Sequence, residues 1–84
     1  MTQTAWQVSL RRAAVAFRLG REGEASQLLV QGIDELVGAI GTFPPERVGL
    51  LQAELTRALQ AQQRKDFLRV ADLLEYVLLP LCHG

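Results

Sequence analysis

Proline is nearly missing from this 84-residue sequence, with three copies at Pro44, Pro45 and Pro80. A proline inside a helix removes a backbone donor and clashes with the preceding turn, so its rarity leaves long stretches free to be helical. Aromatic residues make up only 6% of the chain and β-branched residues are sparse, which leaves few of the usual strand formers. Ala, Leu, Gln, Glu and Arg dominate instead, and these are strong helix formers. An all-α fold is the expectation.

Other shortages exclude classes of function. One cysteine, Cys82, rules out an internal disulfide framework and fits a reducing compartment. No uncharged apolar run approaches the roughly 18 residues needed to span a bilayer. The first ten residues carry no basic n-region, so no secretory leader is expected, and the chain reads as cytoplasmic. Nine basic and nine acidic residues cancel, which gives no global reason for a nucleic-acid or membrane partner.

Catalytic equipment is equally scarce. The one histidine, His83, stands beside Cys82; two adjacent ligands fall short of a four-ligand zinc site. A Cys–His nucleophilic pair would also need a scaffold to hold it. The glycines at 20, 23, 32, 38, 41 and 49 are not followed by the GKS or GKT of a phosphate loop. Ser9 and Ser26 lack a context for activation. Asp34 with Glu35, and Asp72 with Glu75, read as charges on solvated helix faces. No catalytic, metal-binding or cofactor-binding residue follows, and the chain is expected not to be an enzyme.

About half the residues are apolar, enough for one small globular domain spanning residues 1–84. Trp6, Leu10, Ala13 and Phe17 recur on one helical face. After Gly20 and Gly23, a second helix carries Leu29, Ile33, Leu36 and Ile40, with Gly41 suited to end it. Pro44 and Pro45 break the chain, and Pro45 suits the first position of a third helix. That helix carries Val48, Leu51, Leu55, Ala58 and Leu59 and ends in the polar run QQRK. Asp66 then suits the N-cap of a fourth. The expected architecture is a compact four-helix domain of two successive hairpins, with helices at about 4–20, 22–40, 45–63 and 66–80. One unbroken helix through 46–79 competes with the second hairpin. A shift of 45 residues favours the turn, since it lays Trp6, Leu10 and Ala13 on Leu51, Leu55 and Ala58, and Gly20 on Lys65.

Two surfaces emerge from this arrangement. Val8, Val15 and Leu19 lie opposite the first helix's core face, so that helix is apolar on two sides. Its second side needs a neighbour or stays exposed. These three residues are the candidate self-association surface, and a homodimer is the expectation. On the fourth helix Phe67, Val70, Ala71, Leu74, Val77, Leu78 and Leu81 share the core face. Asp72, Glu75 and Tyr76 fall on the other side with Leu68 and Leu79, a mixture typical of interfaces. These five form the candidate surface for a foreign protein partner. Charge is segregated as well. Residues 1–21 hold four arginines and no acid, and residues 22–46 hold five acids and no base. Pairing between the first two helices is the simple expectation; a basic face reserved for an acidic partner is the other.

The stretch KDFLRVADLLEYVLLPL resembles the tail of small, uncharacterised bacterial all-helical proteins that end in a KD-aromatic, ADLLEY, L-x-P-L pattern. That resemblance implies no activity. As a short four-helix protein, the chain is similar in fold to flagellar and type III export chaperones. FRLGREGEASQLL also resembles one tetratricopeptide hairpin through Gly20 and Ala25, although Ser9, Arg12 and Glu22 depart from that repeat. The functional expectation is a non-catalytic protein–protein interaction module: an adaptor, a chaperone-like protein or a small regulatory subunit. A purely self-assembling structural protein and a small helical ligand-binding protein or enzyme are the alternatives.

Overall fold

Thr4 opens the first helix with a reciprocal cap. Its hydroxyl accepts from the Gln7 backbone N–H at 3.4 Å, while the Gln7 side-chain oxygen accepts from the Thr4 N–H at 2.9 Å. Two donors that a helix start leaves unpaired are thereby satisfied. The computed structural model describes residues 4–81, with side chains as far as Pro80. Helix α1 is Ala5–Arg18 and α2 is Glu22–Ala39, followed by a 3₁₀ turn at Ile40–Thr42. Helix α3 is Pro45–Gln63 and α4 is Phe67–Leu73, which continues through a π-helical turn (Leu74–Leu78) into α5 (Leu79–Leu81). The four expected helices are present as four rods, with ends displaced by no more than two residues.

The turns between paired helices have the same construction. After α1, Gly20 takes φ +76°; its N–H donates to the Phe17 carbonyl and that of Arg21 to the Ala16 carbonyl. After α3, Lys65 takes φ +59°; its N–H donates to Gln62 and that of Asp66 to Ala61. Both are Schellman caps, which close the orphan carbonyls of a helix end. The competing helix through 46–79 is therefore broken at Lys65. Asp66 then caps α4 as expected, its side chain accepting from the Arg69 N–H at 3.4 Å.

The hairpins lock together through α1. It packs on α2 along one side and on the α4 rod along another, and α3 packs on the rod. Helices α2 and α3 meet only sparsely, where Gln62 Nε2 donates to Ser26 Oγ at 2.9 Å. Leu10, Leu29, Leu36, Leu51, Leu74, Leu78 and Val70 are the largest fully buried side chains. Each such leucine contributes roughly 1.5–3 kcal/mol from burial. Trp6 meets Phe43 edge-on at 6.1 Å, and Phe17 stacks on Phe67 at 5.5 Å. These aromatic pairs fasten opposite ends of α1. The Cα radius of gyration, 11.8 Å, equals the roughly 12 Å of a compact chain this long.

Several sequence expectations need correction. Leu79, expected on the outer face of the fourth helix, is buried at 3% exposure. The cause is the π turn, in which the Leu79 N–H donates to the Leu74 carbonyl five residues back. An i→i+5 bond puts an extra residue into the turn, so Leu79 comes round beneath Leu74. An even 100° wheel leaves it outside. Leu59 is exposed, and Val48, Ile33 and Ile40 are only half-buried. Gly41 does not take the left-handed region after α2; among the described glycines only Gly20, after α1, does, and the 3₁₀ turn finishes α2. The Leu81 side chain, Cys82 and His83 lie outside the described residues.

Candidate functional site

The outer seam between α1 and the α4 rod is organised by one arginine. Arg18 is in the last turn of α1, directly after the buried Phe17. The Phe17–Phe67 stack fixes that end of α1 against the start of α4. On the rod Asp72, Glu75 and Tyr76 turn away from the buried Val70, Ala71 and Leu74. Arg18 Nη2 donates to Asp72 Oδ1 at 3.0 Å, and its Nε and Nη2 donate to the two Glu75 oxygens at 3.3 and 3.4 Å. The Arg18 Cζ also stands 5.9 Å from the centre of the Tyr76 ring, within cation–π range. Glu75 foremost and then Asp72, through these hydrogen bonds, raise the Arg18 guanidinium above its ordinary pKa.

Three of the five residues expected to form a partner surface, Asp72, Glu75 and Tyr76, thus gather around Arg18. Leu68 is exposed one turn earlier on the rod. Leu79 lines the floor of the neighbouring depression despite its burial. Both acids pair with Arg18 within the chain, and the Asp72 side chain stays exposed.

Of the expected self-association residues, Val15 shares a groove with Glu75 and Tyr76 of this cluster. Val8, Val15 and Leu19 are all exposed, because the core takes the opposite face of α1. Val15 borders two open grooves. One, of about 450 Å³, lies between α1 and the rod and is lined by Arg11, Val15, Glu75, Tyr76, Leu79 and Pro80. The other, of about 290 Å³, lies between α1 and α2, with Val15, Leu19 and Leu28 as apolar lining and Arg11, Arg12, Arg21 and Glu24 around them. The two surfaces read separately from the sequence meet at Val15 and Tyr76.

Charge pairing differs from the simple expectation. Among the described residues, the one ion pair between residues 1–21 and 22–46 is Arg21 with Glu24 at 3.7 Å. Glu35 instead accepts from the Ser9 hydroxyl at 2.7 Å, a brace between α1 and α2. Arg18 turns to the rod, and Arg11 and Arg12 have no ion-pair partner among the described residues. The outer side of α1 therefore presents exposed valines beside Arg11 and Arg12, which lack an ion-pair partner among the described residues. The Arg18 clasp was the feature missed in the sequence. Its signal was present in the acid-free first helix and the outward acids of the fourth.

Among the described residues, no group of three or more His, Cys, Asp or Glu is placed to hold a metal ion. No described helix is long and apolar enough to cross a membrane. No family model, curated protein or solved structure matches this chain.

Proposed function

We infer that this protein is a non-catalytic protein–protein interaction module which presents the α1–α4 seam to its partners and associates with itself. The observation that carries the reading is the set of exposed apolar side chains on α1 and the rod, Val8, Val15, Leu19, Leu68 and Tyr76, with Arg11 and Arg12 lacking an ion-pair partner among the described residues. Exposed apolar surface of this kind is a feature of protein interaction sites. Aromatic and arginine side chains are enriched there, and Tyr76 and Arg11 share one groove. A homodimer is the simplest assembly, and the adaptor, chaperone-like and regulatory-subunit roles all use such a surface.

The test is capture from native lysate with immobilised wild type, Tyr76→Glu and Val15→Glu, alongside solution mass for each. Both substitutions place a charge on an exposed position and leave the fold intact, which circular dichroism checks. The reading expects either specific capture or self-association, lost in at least one variant. A monomeric wild type that retains nothing beyond what the variants retain would end it.

A further inference from the structure

Two surface stripes have the same spacing and opposite charge. On α1, Val8, Arg12 and Val15 follow at i, i+4 and i+7; on α2, Val30, Asp34 and Val37 do the same. Residues so spaced share one helix face. The four valines are 40%, 48%, 56% and 56% exposed in chain order. Arg12 and Asp34 are exposed too, and neither has an ion-pair partner among the described residues.

The stripes cannot meet within one chain. Helix α2 directs Ser26 towards Gln62 of α3. Val30 and Val37, four and eleven residues further on, share that side of the helix. Leu28 and Glu24 instead face the groove shared with α1. Arg12 and Val15 line the α1 wall of that groove, from which the α2 stripe turns away. The stripes therefore occupy different faces of the α1–α2 hairpin.

We propose that a second copy of this chain seats its Val30–Asp34–Val37 stripe on the Val8–Arg12–Val15 stripe, pairing Asp34 with Arg12 between two valine contacts. The proposal rests on the interaction-module reading and names the occupant of the α1 face. Matched spacing makes the fit specific: in a parallel register valine meets valine at both ends while the charges meet in the middle. The flanking valines exclude water from the ion pair, as the rim of an interface does for its centre. Each contact joins two different surfaces and leaves one stripe free on each copy, so assembly continues until rotation closes a ring. The expected dimer is then the first member of a series.

The experiment is light scattering over a concentration series for wild type, Arg12→Asp, Asp34→Arg and an equimolar mixture of the two variants. Wild type should gain mass with concentration. Each variant alone sets like charges face to face and should associate at least about tenfold more weakly. The mixture should recover wild-type association, because each variant supplies the opposite charge at both kinds of contact. Circular dichroism of each variant verifies that the helices are intact. Association unaffected by the swaps, or a mixture no better than its components, would overturn the proposal. So would a monomeric wild type that captures a foreign acidic helix through Arg12. A wild type that is monomeric yet retains a Tyr76-dependent partner defeats this inference alone; one that is monomeric and captures nothing defeats the interaction-module reading with it.

Discussion

In the first hairpin α2 carries Gly32, whereas the second hairpin carries Val77 at the corresponding place 45 residues later. A Cβ added to Gly32 would stand 2.7 Å from Leu10 Cδ2, 3.0 Å from Leu10 Cγ and 3.3 Å from the Leu10 backbone nitrogen. The missing side chain thus lets α2 close on α1, and the two pack more extensively than α3 packs on its rod. Leu55 corresponds to Leu10; it is 9% exposed where Leu10 is fully enclosed. The second hairpin also takes its π turn around Val77. Two hairpins with equivalent Schellman caps therefore differ in how closely their helices approach. The caps fix the reversal, and the residue at the crossing governs the distance.

Truncation at the corresponding leucines should separate the hairpins most. Leu10→Ala and Leu55→Ala fall in the range of about 2–5 kcal/mol for buried leucines. Leu10 should lie nearer the top and Leu55 nearer the bottom, as read by urea unfolding; equal losses would erase the distinction. Gly32→Val forces a branched side chain against Leu10 and should cost about 1–3 kcal/mol, shown by a lower unfolding midpoint. Val77→Ala, at a half-buried position, should cost less than about 1 kcal/mol in the same assay.

Smaller effects test the likeness of the two turns. Gly20→Ala puts a Cβ into the left-handed region and should destabilise by about 1–2 kcal/mol. Lys65→Gly relieves that strain and should stabilise by up to about 1 kcal/mol, since glycine's freedom in the unfolded chain offsets part of the gain. Thermal unfolding should move in opposite directions for the two. The smallest change is expected for Arg18→Ala, whose pairs with Asp72 and Glu75 are solvent-exposed and weakened by water and salt. Its unfolding midpoint should stay close to wild type, while the near-ultraviolet signal of Tyr76 changes.

What the sequence displayed clearly was local. Trp6, Leu10, Ala13 and Phe17 are all buried because helical spacing alone put them on one face. Pro45 and Asp66 start their helices through chemistry contained within a few residues. The exposure of Val8, Val15, Leu19, Leu68 and Tyr76 followed from the same geometry. Leu79 escaped that reasoning because a π turn alters the wheel, and nothing in LEYVL signals one. The Arg18 clasp escaped it because the partner lies 54 residues away and depends on which helices become neighbours. The approach of Gly32 to Leu10 escaped it for the same reason.

Solution mass by light scattering, for wild type and Val15→Glu across concentration, tests the central claim most directly. The account predicts a wild-type mass above 9.3 kDa that rises with concentration, and a helical, folded Val15→Glu that stays at the single-chain mass. A wild type that remains at 9.3 kDa at every concentration would contradict self-association through the outer face of α1.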